Sequence, residues 1–314
     1  MGTVRALELI AAYALDARLG DPEGYPHPVR MMGCSIEALE RALRARCRDQ
    51  EDEIYAGCLL AGAVVGGACL CARLAMALPG RPLMEALLIY TALARKNLEE
   101  SALRVAGHLE EGRVEKARAE LISLVGRDRE QLDENAICAA AVESVAENFV
   151  DGVLAPLLWA AWGGAPAALA FKAVSTLDSM IGHRDERYLH LGKCAAWMDD
   201  LAVFATARLS VPLIALAARL CGQDGAAALR VGLRDRLNHP SPNSAHPEAA
   251  FAGALGVSLG GTAFYGGKPR VLPRIGEGQW MLEPAHIREA VRLLNTASVL
   301  GLGLAVLLGL RRKR

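Results

Sequence analysis

The chain has no surplus of charge: 35 Lys and Arg are matched by 35 Asp and Glu over 314 residues. A nucleic-acid binder needs a basic surplus, so that class is set aside and no nucleic-acid partner is expected. The eight cysteines (Cys34, Cys47, Cys58, Cys69, Cys71, Cys138, Cys194 and Cys221) form no C-x-x-C pair and show no zinc spacing. They read as reduced, small, buried residues, on the cytosolic side of a membrane or within it. There is no Walker A, no G-x-G-x-x-G before a strand, no G-x-S-x-G and no H-E-x-x-H, so the usual nucleotide folds are not signalled. No strand-like alternation is sustained, so a sheet is not expected. A secretory leader is also lacking: residues 3–15 are apolar but carry Arg5 and Glu8, and no small-residue cleavage site follows.

Apolar residues are plentiful: 53% of the chain is hydrophobic and 22% charged. Five runs stand out, at 54–72, 152–171, 201–218, 249–267 and 293–310. All lack charge except the third, which contains Arg208. A bilayer span needs about 20 apolar residues, so the first and last runs are the firmest spans. Runs broken by Pro and Gly read as spans, re-entrant segments or buried helices. The closing Arg311, Arg312, Lys313 and Arg314 place that end in the cytoplasm by the positive-inside tendency. The expected fold is all-α: a polytopic integral membrane protein with about four to five spans or re-entrant helices and helical cytosolic loops. It is expected to form one domain over 1–314. The competing reading is a soluble helical protein with an apolar core. Leu98, Ala102, Val105 and Leu109 make an apolar stripe at helical spacing opposite Lys96, Glu99, Glu100, Arg104 and Glu110. That pattern predicts a water-facing helical hairpin at about 95–130.

Four stretches carry polar chemistry. In the first, Pro26 and Pro28 bracket His27 and restrict the backbone on both sides, which fixes where the imidazole points. In the second, Glu143, Glu147 and Asp151 recur every four residues and line one helical face. Such stacked like charges repel unless a cation or a base answers them. Gly152 and Pro156 then predict a break or kink beside that face. Divalent cations favour carboxylate oxygens, and Glu147, Asn148 and Asp151 suit that task. The third stretch holds Lys172 at the mouth of an apolar run, then Asp178, Gly182, His183 and Arg184, with Asp199 and Asp200 further on. Lys meets a phosphate as a point charge, Arg as a fork; the pattern leaves Lys172 open to a ligand anion, or makes it an interfacial anchor. The fourth, 238–250, crowds His239, Ser241, Asn243 and Glu248 ahead of an apolar run.

Together these stretches read G-D-P-x-x-x-P-H-P-V, A-E-N-x-x-D-G-V-x-A-P-L, K-A-V-x-T-L-D-S-M-I-G, D-D-L and H-P-S-P-N-S followed by P-E-A. In that order they closely resemble the CobD/CbiB family of cobalamin biosynthesis, the adenosylcobinamide-phosphate synthases, which are integral membrane proteins. The sequence departs from the family at Ser175, where Asn is usual, at Thr206, where Pro is common, and at His183, where Tyr is frequent. The resemblance implies an ATP-dependent acid–amine ligase of the inner membrane. It would join adenosylcobyric acid to (R)-1-amino-2-propanol or its O-phosphate, with ATP as co-substrate and Mg2+ as cofactor. Membrane lipid and other membrane-associated cobalamin-assembly enzymes are the implied partners. Within that chemistry Glu147, Asn148, Asp151, Asp199 and Asp200 are the candidate metal ligands. Lys172, Arg184, Arg208, Ser241 and Asn243 are the candidate phosphate and substrate contacts. His27, Asp178 and His239 are the candidate catalytic groups, with Asp178 also suited to the metal. A polytopic transporter and a magnesium-dependent membrane prenyltransferase stay open beside it. Against them stand the lack of half-repeats and of a second Asp-rich motif.

Overall fold

The structure is a computed structural model that describes residues 2–21, 27–124, 132–183, 185–265 and 268–311. The first helices are α1 (Gly2–Leu19), α2 (Pro28–Arg44), α3 (Gln50–Ala75), α4 (Arg81–Tyr90), α5 (Arg95–Glu110) and α6 (Val114–Glu120). Then come α7 (Glu134–Phe149), a π-helical turn (Val150–Leu154), α8 (Ala155–Gly163), α9 (Ala165–Ile181), α10 (Lys193–Leu220), α11 (Gly225–Arg234) and α12 (Ala245–Leu255). The strands β1 (Ser258–Tyr265) and β2 (Lys268–Gly276) precede α13 (Pro284–Arg311). The all-α expectation holds for the fold class.

Among the described residues, three helices are long and apolar enough to cross a membrane: α3, α10 and α13. Their outward leucines, among them Leu59, Leu70, Leu74, Leu201, Leu216 and Leu307, are exposed, which suits lipid rather than water. The run at 152–171 is divided among the π turn, α8 and α9, because Gly164 (φ 75) ends one helix and Pro166 opens the next.

The run at 249–267 overturns two expectations, since it is neither a span nor helical throughout. It leaves α12 at Gly256 (φ 66) and enters an antiparallel hairpin of β1 and β2. Gly260 (φ 83) and Gly261 (φ 99) take left-handed backbone at a register shift. A Cβ at Gly260 would lie 2.3 Å from the Pro273 carbonyl oxygen, so only glycine allows the strands to approach there. Leu259 and Ile275 pair across the hairpin and are buried. The cysteine expectation is corrected as well. The cysteines are free, but Cys138 alone is buried, while Cys34, Cys58 and Cys71 are exposed. Cys58 and Cys71 lie on the outward side of α3, which helix periodicity alone does not orient.

The chain forms two compact units. The first comprises Met1–Ala94, Ala155–Val203 and Leu302–Arg314. Its core holds Leu9, Ile36, Leu60, Ile89, Leu157, Leu177 and Ile181, with α9 packed on α3, α8, α2 and α4. Arg5 pairs with the buried Glu85, which also accepts the Ala165 amide at 3.3 Å and so satisfies an orphan donor at the start of α9. Buried Glu40 accepts from Arg187 at 2.9 Å, and the guanidinium groups of Arg44 and Arg187 lie over the Tyr188 ring. These contacts hold the segment before α10 against α2.

The second unit comprises Arg95–Leu154 and Phe204–Gly301. Its core includes Ile137, Val142, Phe149, Phe251 and Leu294. The stripe of Leu98, Ala102, Val105 and Leu109 is buried as expected, on α5 packed against α6 and α7. Helix α11 lies close along α12; a Cβ at Gly253 would lie 2.5 Å from the Ala227 carbonyl oxygen. Asp235 receives both forks of Arg234 at 2.7 Å and the Gly276 amide at 2.8 Å, which joins the end of α11 to β2.

Candidate functional site

In the second unit the site is built from the end of α7, the middle of α10 and the turn that opens α12. Helix α7 starts at Asp133, whose carboxylate accepts the Ala136 amide at 2.8 Å. It ends in the π turn that contains Asp151. Pro156 has no amide hydrogen to give the Gly152 carbonyl, so α-helical hydrogen bonding cannot run unbroken there. π turns of this kind recur at functional sites.

The three carboxylates of this face are met by hydrogen-bond donors. Glu143 accepts the Gly260 amide of β1 at 2.9 Å, and Glu147 accepts the Ser244 hydroxyl at 2.7 Å. Asn148 bonds the Ser144 carbonyl and hydroxyl at 2.9 and 3.0 Å. Glu147, Asn148 and Asp151 are all half-buried, and Asp151 also has an interaction partner in the folded chain. The turn at 239–244 is pinned by its own side chains: His239 Nδ1 accepts the Ser241 amide at 3.0 Å, and Ser241 Oγ accepts the Asn243 amide at 3.2 Å. Arg208 donates to Asn243 Oδ1 at 3.0 Å and to the Phe204 carbonyl at 2.7 Å, with its guanidinium over the Phe204 ring. Four residues on, Pro212 leaves the Arg208 carbonyl without its usual helical donor.

The start of α12 also contributes buried groups that sequence reasoning did not name as site residues: Ser244, and above all His246, which is 3% exposed. Burial pushes the His246 imidazole below its ordinary value, and the charges of Arg208 and Arg236 act the same way, against a hydrogen bond with the Asn243 backbone. The signal available was the crowding of polar residues at 238–250; which of them face inward depends on how the helices pack.

The first unit holds the other candidates. His27 caps α2, its Nδ1 accepting the Val29 amide at 3.4 Å, while its Nε2 lies 3.0 Å from Asp21 Oδ1. Lys172 and Asp178 sit on α9, half-buried, and each has an interaction partner in the folded chain. The reading of Lys172 as an open cation is therefore corrected. Asp178 folds over Gly182, where a Cβ would lie 2.0 Å from its Oδ1. Asp199 and Asp200 are half-buried on α10, each with a partner. Arg184 lies outside the described residues. Thus the structure brings Glu147, Asn148, Asp151, Arg208, His239, Ser241 and Asn243 into one unit, and places His27, Lys172, Asp178, Asp199 and Asp200 in the other. Among the described residues no three His, Cys, Asp or Glu side chains are grouped to hold a metal ion.

Comparison with known proteins adds the family. The family model of the CobD/Cbib protein matches residues 9–294, spanning all of these stretches. The chain belongs to the CobD/Cbib family. It is 46% identical over 304 residues to the cobalamin biosynthesis protein CobD of Pelobacter propionicus, covering 95% of this chain and 92% of that one. It is 47% identical over 299 residues to the CobD of Geobacter metallireducens, with 93% of each chain covered. The cobalamin biosynthesis protein CbiB of Salmonella choleraesuis is 42% identical over 301 residues, 94% of each chain. No solved structure matches the chain. For a CobD/Cbib protein, then, the carboxylates at the end of α7 and the turn before α12 form one hydrogen-bonded cluster.

Proposed function

We propose that this protein is an amide-bond-forming synthase of cobalamin biosynthesis. It joins a carboxyl group of adenosylcobyric acid to (R)-1-amino-2-propanol or its O-phosphate, with ATP consumed, to give adenosylcobinamide or its phosphate. The observation that carries this reading is the family match over residues 9–294. It is supported by a cluster in which acids (Glu147, Asp151) lie in the same unit as a guanidinium (Arg208) and a polar turn (Ser241, Asn243). The protein works in the inner membrane with its C-terminus in the cytoplasm, as Arg311 and the residues after it imply.

A carboxylate acylates amines poorly, so ATP first converts it to an acyl phosphate with release of ADP. The amine nitrogen then attacks the carbonyl carbon, the bond to phosphate breaks, and one proton leaves the nitrogen. Phosphate oxygens need cationic partners throughout. Arg208, held by Asn243, is such a partner in the second unit; Lys172 and Arg184 supply the same chemistry from the first. Magnesium asks for only one or two carboxylates besides substrate phosphates, and half-buried Glu147 and Asp151 are that donor set, with Asn148, Asp199 and Asp200 as further oxygen donors. When bound, the ion neutralises phosphate charge. The test uses detergent-purified protein with ATP, magnesium, adenosylcobyric acid and the aminoalcohol phosphate. ADP released only when both organic substrates are present, together with a corrinoid amide, is the expected result. ATP turnover without amide, or no turnover at all, overturns the reading.

A further inference from the structure

Amide formation as proposed above, on which this inference rests, needs a group that takes the proton of the attacking amine. A neutral imidazole has one donor and one acceptor nitrogen. In His27 the acceptor Nδ1 is engaged by the Val29 amide, and Nε2 faces Asp21 at 3.0 Å. In His239 the acceptor Nδ1 is engaged by the Ser241 amide at 3.0 Å. Both rings serve their own turns, and each has only its N–H left to offer. His246 differs, because its Nδ1 is buried without a hydrogen-bond partner among the described residues. A buried acceptor left unpaired costs about 1–3 kcal/mol, a cost a native fold carries where the atom has a ligand to meet.

The neighbours of His246 define that ligand. On one side of it in the turn, Ser244 bonds Glu147 and Asn243 bonds Arg208. On the other, Glu248 is buried in the first turn of α12. An open acceptor beside a guanidinium suits a molecule that carries both a proton donor and an anionic group. We infer that His246 is the proton acceptor of the reaction, acting through Nδ1. As the amine nitrogen forms its bond to the acyl carbon, the electron pair of the breaking carbon–oxygen bond leaves with phosphate. The nitrogen's proton passes to Nδ1, and the imidazolium later returns it to solvent.

The test separates acylation from amine attack in the full-length protein. Hydroxylamine, largely uncharged at neutral pH, traps an acyl phosphate as hydroxamate without needing a base. With ATP, magnesium and adenosylcobyric acid, His246→Gln is expected to form hydroxamate near the wild-type rate. Its amide formation with the aminoalcohol phosphate is expected to fall roughly 10²–10⁴-fold. In His246→Ala, added imidazole is expected to restore part of the amide rate without changing hydroxamate formation. His108, whose Nδ1 is also unpartnered but lies on α5, is the control, and His108→Gln is expected to keep both rates. Equal loss of both rates in both His246 variants, or loss of neither, overturns the role of His246. A wild-type protein that forms neither hydroxamate nor amide removes the synthase reading, and this role with it.

Discussion

Asp151 stands where α7 gives way to the π turn, the last of three carboxylates spaced four residues apart. The first two have donors from Gly260 and Ser244, so repulsion along the face is relieved within the protein before any cation arrives. In the proposed reaction Asp151→Asn leaves the fold intact and raises the magnesium needed for half-maximal rate by about tenfold or more. A magnesium titration of initial rates checks this, and an unchanged curve would mark Asp151 as structural. Gly182 makes a different point. Its φ is ordinary at −75, so crowding and not backbone freedom demands glycine there. Gly182→Ala drives a methyl group into the Asp178 carboxylate, which should cost about 1–3 kcal/mol. The expected outcome is a lower thermal midpoint by differential scanning fluorimetry, with reduced activity if Asp178 takes part in the reaction.

Among the elements, the β1–β2 hairpin depends on one acid. Asp235 is held below the ordinary carboxylate range by the hydrogen-bonded Arg234 guanidinium, with the Gly276 amide helping and burial opposing. A carboxyl group lowered on folding contributes stability that is present above its unfolded value and lost as pH falls through its folded one. The second unit should therefore lose stability as pH drops below about 4, the ordinary aspartate value. Asp235→Asn should lack that part of the acid dependence and cost about 1–3 kcal/mol at neutral pH. Hydrogen exchange of the hairpin amides at pH 7 and below pH 4 measures both. Helix α10 is also tuned along its length. Pro212 loosens the backbone hydrogen bonding one turn after Arg208, where the side chain leaves the apolar run to reach Asn243.

At the scale of the whole molecule, the exposed leucines of α3, α10 and α13 would form a large apolar surface in water. A bilayer removes that cost, so carbonate-washed membranes should retain the protein, and recovery in the soluble fraction would contradict the membrane reading. The three candidate spans differ in legibility. Helices α3 and α13 correspond to uncharged runs that read as spans directly. Helix α10 carries Arg208 and Pro212, yet its length emerges once Lys193–Leu220 is seen as one helix.

Helical class, candidate spans, the buried stripe of α5 and the family itself were legible in the residues, because each depends on local periodicity, run length or motif order. The π turn was foreshadowed by Gly152 and Pro156, which act on their own backbone. The hairpin was not, since β1 is a small, uncharged run without alternation, and its pairing to β2 depends on residues such as Asp235 and Ile275 that lie elsewhere in the chain. The orientation of Cys58 and Cys71 was hidden for the same reason. The candidate site divides along this line too. Residue types and spacing were enough to mark Glu147, Asp151, Arg208 and the 238–250 turn. Only the packing of α7, α10 and α12 decided that Ser244 meets Glu147, that Asn243 meets Arg208, and that His246 is buried with an open nitrogen, because hydrogen bonds across more than 30 residues leave no periodic trace in a single sequence.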